Sequence, residues 1–159
     1  MSENQHIIKI DLDERTVIRR NADIEHERKV AIFDILEENT FVVTGFETDG
    51  PYSLHLCIED NRLIFDVRTA DDSTELVRIP LPVISFRRII KDYFQVCESY
   101  FDAIKTASPS KIEAIDMGRR GLHNEGSELL KERLAEKAVT DSNTARRLFT
   151  LMCVLHIRG

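Results

Sequence analysis

Long apolar runs are missing from this sequence, and none reaches the length needed to span a bilayer. The N-terminus, MSENQHIIKI, has neither a basic segment followed by an apolar core nor an Arg/Ser-rich transit character. These absences predict a cytoplasmic protein with no membrane association. Cysteine is scarce: Cys57, Cys97 and Cys153 are widely spaced and lie among apolar residues. That pattern fits buried free thiols in a reducing compartment better than a disulfide framework, and it gives none of the cysteines a metal partner. The phosphate-binding P-loop, the Rossmann glycine fingerprint, paired CxxC motifs and the G-x-S-x-G elbow are all absent. His26-Glu27 lacks the second histidine, at Val30, that a zinc-protease helix needs. His26 therefore reads as a partly buried structural histidine. No cofactor is implied.

What is present is the composition of a globular protein, with 42% hydrophobic and 31% charged residues in 159. That length predicts one domain, residues 1–159, large enough to bury a core. The net charge of −6 is unevenly spread. Residues 1–82 hold 9 Lys/Arg against 18 Asp/Glu, and residues 83–159 hold 13 against 10. An acidic solvated half is one reading. A polarised molecule whose basic half meets an anion or an acidic partner is the other.

Hydropathy patterning predicts the elements. His6–Leu12 alternates as a half-buried strand, with Ile8, Ile10 and Leu12 on one side. Asp23 is placed to cap a helix over Ile24–Glu38 that buries Val30, Ile32, Phe33, Ile35 and Leu36. A short strand follows at Phe41–Val43. Tyr52–Ile58 and Leu63–Arg68 alternate around Glu59-Asp60-Asn61 and form a hairpin. After a turn at Asp71-Asp72-Ser73, a third strand covers Leu76–Ile79 and ends at Pro80 and Pro82. The helical period then holds from Val83 to Ala107. Ser108-Pro109 supplies a cap and a first-turn proline for another helix, with a Ser110/Glu113 capping box as the competing start. A largely buried helix runs from Asp141 to Ile157. These elements predict an α+β fold: a small antiparallel sheet, made of the N-terminal strand and a three-strand meander, packed by an early helix and three C-terminal helices.

The stretch Ser108–Leu134 carries three of the six glycines together with Arg119, Arg120, His123, Asn124, Glu125 and Glu128. Three glycines in nine residues oppose a helix by about 1 kcal/mol each. Either another backbone packs closely there, or the helix breaks near Gly121 and restarts with Asn124 as cap. A break would let free backbone N–H groups and the arginines hold a phosphate or carboxylate. His123 is a candidate catalytic acid/base, oriented by Glu128 if the helix is broken. Gly118–Gly121 matches the G-x-x-G loop with which some RNA-binding domains clamp a backbone, although the acidic composition opposes nucleic acid. Arg146 and Arg147 lie in the first turn of the last helix, where cations are disfavoured. They either pair with Asp141 or another acid, or join Arg119 and Arg120 in one basic patch.

The segments EHERKVAIFDILEEN, KDYFQVCESYFDAI, IEAIDMGRRGLHNEG and TARRLFTLMCVLHIRG together resemble a bacterial uncharacterised protein family, numbered 0262. The resemblance covers about Asp11 to Gly159. It implies a small bacterial cytoplasmic protein and brings no activity, cofactor or catalytic residue. On the residues themselves, the leading expectation is a non-catalytic interaction or regulatory module. It would bind an anionic small molecule or an acidic protein surface through Arg119, Arg120, His123, Asn124, Arg146 and Arg147. Self-association of the acidic and basic halves into a homo-oligomer is one form of this. A small enzyme acting on a phosphorylated or carboxylated metabolite through His123 is the alternative, and RNA binding ranks last.

Overall fold

The computed structural model describes residues 5–13 and 22–155, with the backbone alone described at 22–24. The hairpin forms where alternation predicted it. Strand β3 (Tyr52–Glu59) pairs antiparallel with β4 (Arg62–Thr69), in the order in which the chain arrives at them. Asp60 and Asn61 both take positive φ, 53° and 61°, the backbone of a two-residue turn whose twist matches the strands. Leu54 faces Val67, and Leu56 faces Phe65, so one face of the pair is continuously apolar and buried. Strand β5 (Glu75–Pro82) extends that face with Ile79 and Leu81.

Pro82 is the last residue of β5, as expected, but Pro80 does not end it; Pro80 lies within the strand, and both prolines are exposed. The sheet order explains this. The strand of residues 7–12, β1, lies at one edge and β5 at the other, in the order β1-β3-β4-β5. A proline on an edge strand leaves no neighbour without a donor.

β1 (Ile7–Leu12) pairs parallel to β3, so the sheet is mixed, not wholly antiparallel. A parallel neighbour requires a crossover, and helix α1 (Ala22–Glu37) lies between the two strands in the chain. The register shifts between Ile7 and Lys9, which breaks the alternation expected for this strand. Ile7 and Leu12 are buried, whereas Ile8 is exposed. Asn39 fixes the entry. Its Oδ1 accepts from Ile7 N at 2.7 Å, while its Nδ2 donates to Ile7 O at 2.9 Å and to Ile35 O at 2.7 Å.

In α1, Asp23 lies inside the helix, not before it. The buried face is narrower than the pattern suggested: Ala31 and Ile35 are inside, while Val30, Phe33 and Leu36 are exposed. A 3-10 turn over Val83–Ser85 leads into α2 (Arg87–Thr106). Helix α3 (Pro109–Leu134) is antiparallel in sequence to α2 across a two-residue connection, and the pair packs along its length. Strand β2 (Phe41–Val43) finds an antiparallel partner in β6 (Ala138–Thr140), which the pattern did not indicate. Helix α4 (Ser142–Leu155) is buried at Ala145, Leu148, Phe149, Leu151, Met152 and beyond, as its composition required. Asp141 caps it through Oδ1, which accepts from Thr144 N at 2.9 Å. The predicted end at Ile157 and the residues 14–21 lie outside the described residues.

One core joins the sheet and the helices. Phe65 and Leu54 of the sheet belong to the same buried cluster as Ile35, Tyr93, Leu130 and Phe149. Among the described residues no helix is long and apolar enough to cross a membrane. All three cysteines are free, with Cys97 and Cys153 buried.

Candidate functional site

Helix α3 is continuous. Ser108 caps it, its side chain accepting from Lys111 N at 3.4 Å, and Pro109 occupies the first turn. The break near Gly121 does not occur, so no restarted helix offers free N–H groups to an anion, and Asn124 is not a cap. The G-x-x-G match is likewise helical, with its backbone engaged; it is not the loop that clamps nucleic acid. The glycines divide. A Cβ on Gly126 would meet the Phe149 ring at 2.1 Å, whereas Gly118 and Gly121 face open space.

That close approach brings α3 against α4 and builds the surroundings of His123. Its ring lies edge-on to Phe149, with centroids 5.2 Å apart, and tilted against Tyr93 at 5.4 Å. Thr150 Oγ1 lies 2.8 Å from Nε2, and this hydroxyl donates to the Arg146 carbonyl at 3.3 Å. Ser127 Oγ donates to the His123 carbonyl at 2.6 Å and lies 3.4 Å from Nδ1. Burial lowers the imidazole pKa to about 4, and the charges of Arg146 and Arg119 push it the same way. His123 is neutral at physiological pH, and hydroxyls orient it. Glu128, the expected orienting carboxylate, is exposed and makes none of these contacts.

The arginines separate into two groups. Arg119 donates to Asp116 Oδ1 at 2.6 Å from Nη2, and its guanidinium lies 4.3 Å from the Tyr100 ring centroid. Arg120 reaches the other oxygen of the same carboxylate at 3.2 Å and stays 60% exposed. Arg146 is exposed, with no ion pair among the described residues, and its charge bears on His123 together with that of Arg119. Arg119 and Arg120 thus share one carboxylate, Asp116, and the charges of Arg119 and Arg146 both act on His123. Asn124 is exposed on the same helix. Arg147 points elsewhere. One residue along α4 from Arg146, its Nε faces Asp34 of α1 at 3.7 Å, so the four arginines do not form a single patch.

Arg147 and Thr150 border a cavity of about 240 Å³ between α1, α2 and α4. From α1 come His26, Glu27, Val30, Ala31 and Asp34, and from α2 comes Tyr93. His26 is exposed at this rim, not partly buried as its apolar neighbours suggested.

A second polar cluster, on the face of the sheet away from the core, escaped sequence reasoning. His55 Nε2 lies 2.9 Å from Asp72 Oδ1, and Nδ1 lies 3.3 Å from Asp11 Oδ2. Lys9 Nζ donates to Asp72 Oδ2 at 2.6 Å. Hydrogen bonds from Lys9, Ser53 and His55 hold the Asp72 carboxyl far below the usual carboxylate range. Lys9, Asp11 and His55 already alternated to one side of their strands, but only the parallel register sets Asp11 beside His55. The nearby Ser53 is fully buried and Asp72 occupies the nitrogen it approaches, so these groups tie β1 to the β4–β5 turn and do not form a nucleophilic triad. No group of three or more His, Cys, Asp or Glu residues suited to a metal occurs among the described residues.

Fold and site together define an α+β protein in which a long helical hairpin and a buried C-terminal helix lean on a four-stranded mixed sheet. The chain belongs to the Uncharacterised protein family (UPF0262), whose match covers residues 4–158. It is 61% identical over 159 residues to the UPF0262 protein of Paramagnetospirillum magneticum, covering 100% of both chains. To the UPF0262 protein of Rhodospirillum rubrum it is 57% identical, covering 100% of this chain and 97% of the relative. To that of Azorhizobium caulinodans it is 54% identical over 150 residues, 94% of this chain and 93% of the relative. No solved structure matches the chain.

Proposed function

We propose that this chain is a single-domain cytoplasmic interaction module that takes an anionic small molecule or an acidic protein surface on the α3–α4 face. The observation that carries this reading is the charge imbalance around His123. Arg119 and Arg120 share the carboxylate of Asp116, while Arg146 has no ion pair among the described residues; Arg120 and Arg146 are exposed. An anion approaching from solvent meets Arg120 and Arg146 without displacing any buried contact. His123 remains neutral and adds no charge of its own. The buried free thiols of Cys97 and Cys153 support the cytoplasmic compartment, and the shared core of sheet and helices supports one domain.

The test uses inorganic pyrophosphate and an oligoglutamate peptide as probes, followed by amide chemical shifts at low and high salt. Perturbations are expected around residues 119–124 and 146, weakening with salt. The exposed-arginine double variant, Arg120→Ala with Arg146→Ala, should weaken binding at least about tenfold while leaving the melting temperature unchanged. Binding of neither probe, or binding indifferent to both salt and the double variant, would remove the proposal.

A further inference from the structure

The two edges of the four-stranded sheet are finished differently. Strand β5 carries Pro80 and Pro82, which have no N–H to offer an incoming strand. Strand β1 carries no proline. Asp13 N donates to Leu56 O, so Asp13, Asp11 and Lys9 turn their main chain toward β3, and Ile10, between Lys9 and Asp11, turns its own outward. One residue of this edge is already closed. Asn39 takes the N–H and the carbonyl of Ile7 with its side-chain amide, as an added strand would. Ile10 has no such partner among the described residues.

Apolar surface lies beside this open edge. Helix α1 packs on β1 and α4, whereas α3 packs on α4 and β5, so α1 is the outermost of the three on the β1 side. Asp34 turns toward Arg147 of α4. Leu36 lies two positions on, about 200° round the helix, and so points away from α4. Phe33, three residues earlier, shares that flank. Both are exposed, Phe33 by 62%, and so is Ile8 on β1. A strand with open main-chain groups and an apolar helix flank beside it is half of an interface.

We infer that a second copy of this chain supplies the other half: the protein is a twofold dimer in which antiparallel pairing of the two β1 strands joins two four-stranded sheets into one. The charges of β1 fit this occupant. Pairing centred on Ile10 sets each Lys9 opposite the partner's Asp11. Centring it on Lys9 or on Asp11 would oppose like charges, so one register is selected. Lys9 and Asp11 keep 55% and 64% of their side chains exposed while they hold Asp72 and His55, so each stays open to a second contact. Residues directly opposite each other share a face of the sheet. Both α1 helices therefore come to the same side, with the Phe33 and Leu36 flanks turned toward each other. The contact is self-complementary and closes after two copies.

Sedimentation equilibrium of the full chain, at up to about 100 μM, is the test. A mass twice the 18.4 kDa of one chain is expected. Lys9→Glu sets carboxylates opposite each other and Asp11→Lys sets ammonium groups opposite each other, so each should weaken dimerisation at least about tenfold. An equimolar mixture of the two variants should recover a heterodimer, because every charge then meets its opposite across the axis. Loss of the contacts with Asp72 and His55 inside one chain could not produce that recovery. Phe33→Asp, at an exposed position off the strand, should also weaken dimerisation at least about tenfold. Circular dichroism establishes that the variants remain folded. The Arg120→Ala/Arg146→Ala double variant should dimerise as the parent does, which separates this edge from the basic face. A monomeric mass for the parent chain would overturn the inference and leave the edge to a strand of another protein. A dimer indifferent to Lys9→Glu, Asp11→Lys and Phe33→Asp would overturn it as well, and a mixture that stays monomeric would overturn the register centred on Ile10.

Discussion

The two halves of α3 are built from similar residues and face different surroundings. From Gly126 onward the helix buries Gly126, Ser127, Leu130 and Leu134. From Pro109 to Gly121 it buries none of its residues, and Met117 is 60% exposed. There Arg119 lies over the Tyr100 ring of α2, and Ile104 near the end of α2 is 50% exposed. The same residue type consequently means opposite things in the two halves. Gly126 exists because a ring from α4 occupies the place of its Cβ. Gly118 and Gly121 occupy open space, so packing does not require them. A glycine in a helix marks close approach only when something approaches.

The largest break in that contrast is Gly126→Ala. Phe149 is fully buried and its ring atoms lie 2.1–2.7 Å from the new Cβ, so the ring cannot give way cheaply. Denaturant unfolding should show a loss of about 3 kcal/mol, at the upper end of overpacking costs. A variant as stable as the parent would mean that α3 and α4 are further apart than described.

His123 sits where the two halves meet and gives a smaller, pH-dependent effect. Its pKa is lowered from 6.5 to about 4 in the folded chain. The unfolded chain therefore binds the proton first as pH falls. The stability present above pH about 6.5 is lost progressively towards pH about 4, by about 2 kcal/mol given the ring's partial exposure. Comparing unfolding midpoints at neutral and acidic pH with those of His123→Phe isolates this contribution. The variant should lose the part of the acid sensitivity that belongs to His123. Equal acid sensitivity in both proteins would show that the imidazole is not the titrating group.

The smallest effect runs in the opposite direction. Gly118→Ala and Gly121→Ala should each stabilise the chain by up to about 1 kcal/mol, because alanine is the better helix former and the space is empty. A loss on either substitution, read by thermal melting, would place an unseen contact on the exposed half. Together with Gly126→Ala, these substitutions test whether surroundings or residue type decide the cost.

Much of the fold was legible because it rests on local rules. Ser108 and Pro109 placed the start of α3 correctly, since capping needs only the first turn. The β3–β4 hairpin followed from alternation and a two-residue turn. The errors share a cause in long-range pairing. Pro80 looked like a terminator because edge position cannot be read from a single strand. β6 has three residues and acquires its identity only from β2. In the site, the grouping of Arg119, Arg120 and His123 was visible from helical spacing. Thr150 and Ser127 as partners of His123, and Asp34 opposite Arg147, depend on how α3, α4 and α1 pack.

The sequence by itself determined the α+β class, the order of most elements, the buried character of α4 and the concentration of charge along α3. Those properties follow from periodicity, capping and composition, which act over a turn or a hairpin. Only the tertiary structure decided the parallel edge at β1, the continuity of α3 through its glycines, and the division of the arginines between a basic face and a cavity. Adjacent positions on a helix point about 100° apart, so what Arg146 and Arg147 each meet is set by the neighbouring helices and not by their place in the chain.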